Sequence, residues 1–290
     1  MSAFDLAAYL ARIVLPARPT LDAAGLARVQ FAHRVAIPFE NLDVWLGRPI
    51  AIDSDAVFAK LVTARRGGYC FEHNRLFLDA LTVVGFAAEP ILARVWLGAE
   101  DVPPLTHTLA RVRIDDLQGG EQDWIADAGF GGSYVPPMPL VDGAEMAAPD
   151  GARFRLVRES AYGWMLLRDG DPATTDGRGG GAGFQLQYTF TGDTACAADL
   201  AVGNHWSQTA PVARFVQQRV VSIVLPDGFA TLTGETYRSK TAAGATLEPI
   251  TDPHAYRTRL STTFGIDLSA EEVTRVFPQH AGQPELRVEE

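Results

Sequence analysis

The 290-residue chain carries a formal net charge of −10, and 47% of its residues are hydrophobic and 21% charged. This composition is that of an ordinary globular protein and excludes fibrous and largely disordered classes, while the length suffices for one large core or for roughly two to three small ones. No stretch concentrates lysine and arginine. Nucleic acid and anionic membranes are therefore excluded as main partners, and a polyanionic ligand would need local donors.

The cysteine content and the N-terminal segment bear on the compartment. The two cysteines, Cys70 and Cys196, are too few for a disulfide framework in a chain of this size, which favours a reducing, intracellular environment. The first residues lack a basic region followed by an apolar run, and no window approaches the roughly 18 uninterrupted apolar residues of a membrane span. We predict a cytoplasmic protein, and the oligomeric state stays open.

The first third of the chain is predicted to be helical, because apolar residues recur every three or four positions. Thr20 is expected to cap one helix and Asp53 a second, which ends at the glycine pair 67–68, where a left-handed residue is wanted. A third helix begins near Cys70 and stops at Gly85. The predicted inward-facing residues are Leu26, Val29, Ala32 and Val35, then Val57, Leu61 and Val62, then Leu76, Phe77, Ala80, Leu81 and Val84.

From about Glu89 the apolar period changes to two, which predicts a series of strands. The predicted strands cover residues 91–97, 108–114, 124–128, 154–157, 164–167 and 185–190. Turn-rich joints such as 117–120 separate them, and this regular spacing favours an antiparallel sheet or a small barrel over alternating parallel units. Residues 169–183 are rich in Gly, Asp and Thr without an apolar period, so we predict a mobile loop tip there.

The last third mixes both kinds of element. We predict a short helix near residues 198–204, a hairpin around residues 226–228 and two closing helices. Ser269 and Glu272 form the pattern of a capping box ahead of the last one. With no internal repeat, the order is a helical bundle, a β-rich middle and a smaller α/β segment.

Cys70 is the first candidate for chemistry. It follows a glycine turn in the segment RRGGYCFEHN of residues 65–74, at the start of an amphipathic helix. The unpaired N–H groups and positive dipole end of a helix stabilise a thiolate, and Arg65 and Arg66 add to this, which predicts a lowered thiol pKa. The alternative is a small buried apolar residue, as most free cysteines are. That alternative is favoured for Cys196, which has neither a glycine turn nor basic neighbours.

A nucleophilic thiol needs a base within hydrogen-bond reach and a group that orients the base. Among the six histidines, His73 lies three residues after Cys70 on the same predicted helix, a spacing that brings side chains together. His107 lies at a strand start, from which it can approach the thiol across a cleft, and is preferred. The alternative for His107 is a strand histidine with a satisfied ring.

Asp127 completes the candidate set. It is an acid in an otherwise apolar strand that ends in a glycine turn, and a buried carboxylate needs a partner such as a histidine N–H. Antiparallel pairing through the turn near residues 118–120 sets the strands of His107 and Asp127 side by side. The alternative is an acid that only caps the following turn.

These segments together resemble the arylamine N-acetyltransferase family. The resemblance rests on IPFEN at 37–41, RGGYCFEHN at 66–74, Thr106–His107 and DAGFG at 127–131, and is extended by Asn204, Thr209, Pro211 and Phe215 and by PDGFATLTG at 226–234. It spans most of the chain in the family's order and spacing. Two residues depart from the family pattern, Ala128 where valine is common and Ala213 where serine is common. They leave Cys70, His107 and Asp127 unchanged and bear on substrate preference.

The resemblance implies an α+β fold of three domains with a core arrangement like that of cysteine proteases. The domains are a helical bundle with the nucleophile at 1–86, an antiparallel β-barrel with His107 and Asp127 at 87–197, and an inter-domain helix with an α/β lid at 198–290. It also implies a structural ion pair between Glu40 and Arg66 near the active site. From the sequence alone, each of these two residues would more often be a solvated surface charge.

The activity implied is acetyl transfer from acetyl-CoA, a co-substrate rather than a tightly bound cofactor, to an arylamine or arylhydrazine. Cys70, His107 and Asp127 form the implied triad, and the Cys70 N–H is a candidate oxyanion donor. Phe39, Tyr69 and Phe130 are predicted to contact the substrate, and Gly131 and Gly132 to let the backbone approach the cofactor's phosphate or pantetheine. Core packing is the alternative for both phenylalanines and a plain tight turn for the glycines.

Two further expectations concern the neighbours of these residues. Asn74 is predicted to hold the start of the Cys70 helix, and Trp206 is predicted to be a core residue.

Other classes compete with this interpretation. A cysteine hydrolase or transglutaminase-like enzyme uses the same three side chains, an amide synthase that closes a polyketide chain differs in acyl donor and pocket, and a non-catalytic binding protein remains an alternative. Metal catalysis is not favoured, because Cys70 and His73 offer at most half a site.

Overall fold

The computed structural model describes residues 4–115, 120–159, 161–178 and 181–277. They form an α+β fold, which confirms the predicted class and the order of helical, β-rich and mixed segments. The predicted turn at 117–120 lies almost wholly outside the described residues. No helix in the described part of the chain is both long and apolar enough to cross a bilayer.

Five α-helices occupy the described part of the first segment, where all three predicted helices are confirmed with shifted ends. They are α1 Leu6–Arg12, α2 Ala23–Ala36, α3 Leu42–Trp45, α4 Ser54–Phe58, which continues as a π-helical turn Ala59–Thr63, and α5 Cys70–Val84. Asp53 caps α4 as predicted, and Gly85 ends α5 in the left-handed conformation at φ 110°. The cap of α2 is Asp22 rather than Thr20, whose hydroxyl donates to the Asp22 carboxylate instead.

The predicted role of Gly67 and Gly68 as the helix end is wrong. The residue with positive φ after α4 is Arg65, at 54°. Glycine is needed at 67 because a Cβ there would lie 2.3 Å from the carbonyl oxygen of Pro38, and at 68 because a Cβ would lie 2.7 Å from the Glu72 carboxylate. These glycines therefore serve close packing in front of Cys70 rather than helix termination.

The β-rich middle is one antiparallel sheet of eight strands that nearly closes into a barrel. Its strands are β2 Ala87–Val95, β3 Leu105–Asp115, β4 Glu121–Ala126, β5 Met138–Pro139, β6 Glu145–Ala147, β7 Arg153–Glu159, β8 Gly163–Asp169 and β9 Gln185–Thr194, in the order β5-β4-β3-β2-β9-β8-β7-β6. All six predicted strands are confirmed. Strands β3 and β4 pair with Ala110 opposite Ala126, so residues just beyond these positions lie close together.

The last segment, as far as residue 277, adds a second sheet and four helices. Its elements are α6 Ala197–Thr209, α7 Arg214–Gln217, β10 Val220–Leu225, β11 Gly228–Thr233, β12 Thr236–Thr241, β13 Gly244–Pro249, α8 Pro253–Phe264 and α9 Ala270–Val276. The predicted hairpin is the β10–β11 turn, and the capping box of Ser269 and Glu272 begins α9. Strand β1, Phe39–Glu40, joins this sheet beside β10. The three-domain division stays a prediction, and β1 ties the first segment to the third.

Part of the predicted mobile loop at 169–183 is packed rather than exposed. Residues 172–174 form a 3-10 turn, and Thr174, Thr175 and Asp176 are buried. The Asp176 N–H donates to the carbonyl of Gly132 at 2.9 Å. A polar segment without an apolar period can thus be held by hydrogen bonds and ion pairs, which periodicity does not detect. Residues 179–180 of this loop lie outside the described part.

A hydrophobic core joins α2 and α5 to the barrel. It includes Leu26 and Val29 of α2, Phe77 of α5, Val112 of β3 and Ala126 of β4. Burying the leucine, valine and phenylalanine side chains among them contributes roughly 1.5–3 kcal/mol each. This packing fixes the first turn of α5 next to the ends of β3 and β4, where the predicted catalytic residues lie.

Candidate active site

Cys70 is the first residue of α5, and the start of this helix is held by backbone capping. Tyr69 is extended, and its N–H donates to the Glu72 carboxylate at 3.0 Å, which satisfies one helix-end donor. The Cys70 side chain is buried, and its Sγ donates to the carbonyl oxygen of Thr106 at 3.6 Å. The thiol therefore meets the backbone of the residue directly before His107.

The prediction of a lowered thiol pKa is wrong for this arrangement. Burial raises the pKa of the Cys70 thiol, and the nearby Asp127 carboxylate raises it further, whereas backbone N–H groups, first that of Phe71, lower it by less. The helix end is present, but it acts on a sulfur almost entirely removed from water. The resting residue is thus a thiol, and its reactivity depends on a base.

His107 and Asp127 form a direct pair. His107 lies on β3 and Asp127 directly after β4, and the imidazole Nε2 lies 2.7 Å from the carboxylate Oδ2 with both side chains buried. Because a carboxylate only accepts, Nε2 carries the proton. This tautomer leaves Nδ1 as the ring nitrogen that can accept a proton. The predicted hydrogen bond between these two side chains is confirmed.

Several groups hold Asp127 in the ionised form. Burial alone raises the pKa of its carboxyl, but His107, the Gly129 N–H and Asn74 together outweigh this and hold the pKa below its usual value. The Gly129 N–H donates to Oδ1 at 2.9 Å, and the Asn74 amide lies 3.3 Å from the same oxygen. Asn74 also accepts from the Ala128 N–H at 3.1 Å. Its predicted role at the helix start is wrong, because it instead binds the Asp127 loop.

His73, the alternative base, is used elsewhere. Its ring is fully buried, with Nδ1 2.9 Å from Nε2 of His33 and Nε2 3.0 Å from the carbonyl oxygen of Pro38. Both ring nitrogens are therefore occupied. The preference for His107 agrees with these positions.

Cys70 and His107 line one cavity of about 390 Å³, which we call the Cys70 cavity. Phe39 and Phe130, two of the predicted substrate contacts, and Gly131, a predicted cofactor contact, also line it. Phe39 stacks on the His73 ring with centroids 6.2 Å apart. Phe130 packs edge-on against the His107 ring at 5.4 Å. Both phenylalanines thus combine core packing with an apolar wall beside the candidate nucleophile.

Tyr69 and Gly132 do not line the Cys70 cavity. Tyr69 is fully buried, and its hydroxyl donates to Asn204, so its position does not support substrate contact. Gly132 accepts from Asp176, and a Cβ there would lie 3.1 Å from the Phe130 ring. A Cβ at Gly131 would lie 2.7 Å from the Phe39 ring. Glycine is needed at 131 for packing against this aromatic wall, while the approach of a phosphate or pantetheine stays a prediction.

Two further expectations are corrected. Trp206 is half-buried and lines both the Cys70 cavity and an adjoining cavity of about 630 Å³, so it is not a core residue. Cys196 is exposed rather than buried, and its Sγ lies 3.1 Å from the Asp199 carboxylate.

The predicted ion pair between Glu40 and Arg66 is confirmed and belongs to a larger charge network. Arg66 Nη2 lies 2.7 Å from the fully buried Glu40 carboxylate and 3.2 Å from Asp43. Lys60 lies 2.7 Å from both Asp43 and Glu72. Breaking a buried pair by removing one partner costs about 3–5 kcal/mol. The network joins the segment that carries Phe39 to the one that precedes Cys70.

Sequence reasoning missed Gln30 and Arg34, which support Asp127 from α2. The Gln30 side-chain oxygen accepts the Asp127 N–H at 2.8 Å, and Arg34 donates to the carbonyl oxygens of Ala128 and Phe130 at 3.3 and 2.9 Å. Both side chains are buried. The available signal was that Gln30 lies four positions and Arg34 eight positions after the apolar Leu26, a spacing that puts them on the inner face of α2.

The described residues contain no cluster of His, Cys, Asp or Glu that could hold a metal ion. A buried thiol, an imidazole in one defined tautomer and an ionised carboxylate are the parts of a nucleophile, base and orienting group. The site therefore contains the kinds of side chain that nucleophilic acyl chemistry requires.

Residues 22–273 match the family model described as N-acetyltransferase. The arylamine N-acetyltransferase of Mycolicibacterium smegmatis is 38% identical over 237 residues, 80% of this chain and 81% of that protein. The Salmonella typhimurium arylamine N-acetyltransferase / N-hydroxyarylamine O-acetyltransferase is 38% identical over 212 residues, 72% of this chain and 69% of that protein. The chain belongs to the arylamine N-acetyltransferase family and is an acyltransferase.

Solved structures agree. The arylamine N-acetyltransferase from Salmonella typhimurium aligns with a TM-score of 0.84 at 32% identity, covering 95% of this chain and 98% of that one. That of Mycobacterium marinum in complex with CoA aligns with a TM-score of 0.82 at 29% identity, covering 94% and 98%. The resemblance seen in the sequence motifs is confirmed across nearly the whole chain.

Proposed function

We propose that the protein transfers an acetyl group from acetyl-CoA to an arylamine or arylhydrazine through a thioester on Cys70. The observation that carries this proposal is the 2.7 Å hydrogen bond between His107 and Asp127 beside the cavity that holds the Cys70 thiol. A base with its orienting carboxylate, next to a buried thiol, matches the requirements of covalent acyl transfer. Acetyl-CoA is a co-substrate in this scheme.

The first half-reaction forms the acyl-enzyme. His107 Nδ1 takes the Cys70 proton as the sulfur attacks the thioester carbonyl of acetyl-CoA. The bond between the acetyl carbon and the CoA sulfur breaks, and His107 returns the proton to the leaving CoA thiolate. Asp127 holds the ring tautomer and stabilises the transient imidazolium. Because burial raises the thiol pKa, proton removal accompanies attack rather than preceding it.

The second half-reaction releases the product. The amine nitrogen attacks the Cys70 thioester, His107 accepts a proton from that nitrogen, and the bond from the acetyl carbon to Cys70 Sγ breaks. The proton then returns to sulfur and restores the thiol. The sequence is ping-pong, with one acetyl group on the enzyme between the two steps. The Cys70 N–H at the start of α5 donates a hydrogen bond to the oxyanion that forms during each attack.

The acceptor occupies the Cys70 cavity next to the aromatic wall. Phe39 and Phe130 offer flat apolar surfaces that suit an aromatic ring. Gly131 lines the same cavity, and its bare backbone suits close approach of the pantetheine arm. In this scheme the aromatic wall of Phe39 and Phe130 selects a flat amine, whereas the triad carries out the acyl transfer.

Mass spectrometry of the intact protein after mixing with acetyl-CoA tests this proposal. We expect one added acetyl group, mapped to Cys70, which a subsequent arylamine removes. C70A should abolish both the adduct and amine acetylation, while C196A, which removes the exposed thiol, should retain both. Acetyl transfer by C70A would contradict the proposal. No adduct together with rapid amide or ester hydrolysis would indicate a hydrolase, and acylation only by larger acyl donors an amide synthase.

A further inference from the structure

A cluster of charged side chains lies at the Cys70 cavity and has no part in the triad. Asp176, Arg178 and Arg214 are the lining residues of that cavity that carry full charges. Arg178 Nε and Nη2 lie 2.9 and 2.7 Å from the Asp176 carboxylate Oδ2, and Arg214 Nη2 lies 3.3 Å from the same oxygen. One carboxylate is therefore shared by two guanidinium groups.

The cluster is anchored and is built into the site. The Asp176 side chain is 1% exposed, and its N–H donates to Gly132, next to the cavity-lining Gly131. Each arginine side chain keeps 24% of its surface accessible. The carboxylate is thus on the buried side, while the guanidinium groups stay within reach of a molecule that enters the cavity.

The cluster has an excess of positive charge. Two guanidinium groups face one carboxylate, and Arg214 Nε is buried with no hydrogen-bond partner among the described residues. Burial and then the charge of Arg178 lower the pKa of Arg214, Asp176 opposes both, and the net result is a pKa of about 10. Another negative charge near Arg214 would relieve this repulsion.

We propose that Arg178 and Arg214 form an oxyanion-binding subsite of the Cys70 cavity, which takes a phosphate of the acyl donor or a carboxylate on the aromatic acceptor. This inference rests on the proposed function, because it concerns substrates of the same cavity. Guanidinium groups bind both oxyanions through paired N–H donors. In a chain with a net charge of −10, an anionic substrate needs such local donors to enter.

Matched ligands and matched variants test the subsite. S-acetylpantetheine lacks the phosphates of acetyl-CoA, and 4-aminobenzamide lacks the charge of 4-aminobenzoate. R214Q and R178Q should lower kcat/KM for the charged member of one pair by about 10- to 100-fold, the range of a lost charge-assisted hydrogen bond, and leave the neutral member nearly unchanged. R214K, which keeps the charge, should recover part of the loss.

The matched control is R113Q, which removes the same charge from a half-exposed barrel arginine paired with Glu121 and Asp123. It should leave both ligand pairs unaffected. A loss of kcat/KM for acetyl-CoA but not for S-acetylpantetheine assigns the subsite to phosphate. A loss for 4-aminobenzoate but not for 4-aminobenzamide assigns it to carboxylate. Equal losses for charged and neutral members, or no loss in either pair, would overturn the subsite.

A binding measurement separates this inference from the proposed function. In the C70S background, which cannot form the thioester, calorimetry compares CoA with pantetheine and 4-aminobenzoate with 4-aminobenzamide. R214Q should weaken only the charged ligand of the affected pair. If the wild type transferred no acetyl group, the proposed function would fail while this binding difference still tested the subsite. Equal binding by C70S and C70S/R214Q would refute the subsite even with acetyl transfer intact.

Discussion

Two buried groups of side chains near Cys70 contain histidines, and they differ in one respect that decides their chemistry. The His107 cluster consists of Cys70, His107 and Asp127, and the His33 cluster consists of Tyr9, His33 and His73. All these side chains are buried. Only His107 has a carboxylate partner, whereas every hydrogen-bond partner of His33 and His73 is neutral.

The His33 cluster has a single consistent proton arrangement. The Pro38 carbonyl only accepts, so His73 Nε2 carries a proton and its Nδ1 accepts from His33 Nε2. His33 Nδ1 then accepts from the Tyr9 hydroxyl at 2.9 Å. Both imidazole rings are neutral in this series of hydrogen bonds, and neither has a ring nitrogen left to take up a proton.

The electrostatics follow the partners. Burial lowers the pKa of His73 to about 3, with the charge of Arg34 as the next cause, and lowers that of His33 well below its usual value, with His73 next. His107 instead has the Asp127 carboxylate as its hydrogen-bond partner. In the proposed mechanism a buried histidine serves as a base where a carboxylate can compensate its charge, and as a structural hydrogen-bond relay where its partners are neutral.

Replacing the carboxylate is the strongest way to break this contrast. D127N keeps the shape but removes the charge that stabilises the His107 imidazolium and fixes its tautomer. We expect kcat for acetyl transfer, and with it kcat/KM, to fall by about 10⁴-fold, the loss in kcat known for the same change in a catalytic triad. The assay is steady-state acetylation of an arylamine, with a thermal melt to check folding.

The control for this variant is D123N on β4, the strand that precedes Asp127, where the carboxylate is half-buried and 3.5 Å from Arg113. It should retain nearly full activity. Activity of D127N within tenfold of the wild type would show that the carboxylate does not assist His107, and the contrast between the two clusters would lose its basis.

The contrast also marks what the sequence contributed. A glycine turn, a strand start and an acid in an apolar strand made Cys70, His107 and Asp127 candidates, and the resemblance to the arylamine N-acetyltransferase family favoured them over the alternatives, while their catalytic roles stay a prediction. Antiparallel pairing across a short joint then brings His107 and Asp127 together. The fold class followed from the change of period near residue 89, because period reflects which faces are buried.

The rest required the three-dimensional structure. Periodicity counts apolar residues, so it assigned Ala32 and Val35 to the inner face of α2 and passed over Gln30, His33 and Arg34, which are more deeply buried. The lowered pKa expected for Cys70 failed for a related reason. A helix start can be recognised in sequence, but the desolvation that outweighs it depends on the elements packed around the sulfur.

The second prediction concerns stability and the His33 cluster. H33F leaves the Tyr9 hydroxyl and His73 Nδ1 without their partners, and each buried polar group left unpaired costs about 1–3 kcal/mol. We expect a lower free energy of unfolding in urea, with kcat/KM of the folded enzyme changed far less than by D127N.

H254F, at an exposed histidine, is the matched control for H33F and should stay within about 0.5 kcal/mol of the wild type. A variant H33F as stable as H254F would mean that the hydrogen-bonded chain through His33 contributes nothing to the fold.

The smallest effect is the acid dependence of stability, which sharpens the contrast further. The pKa values of His33 and His73 lie below the unfolded value of 6.5, so below pH 6.5 the unfolded chain binds protons that the folded protein does not. The contribution of these neutral histidines to stability is therefore fully present above pH 6.5. It falls as the pH falls below 6.5, by up to about 1.4 kcal/mol per pH unit for each histidine.

H33F removes one of the two histidines, so its free energy of unfolding should fall less steeply from pH 6.5 to 4.5. Urea unfolding of both proteins across this range isolates the difference, because groups such as Asp127 titrate in both. Parallel curves would mean that His33 is protonated in the folded protein, and the neutral hydrogen-bond chain would have to be abandoned.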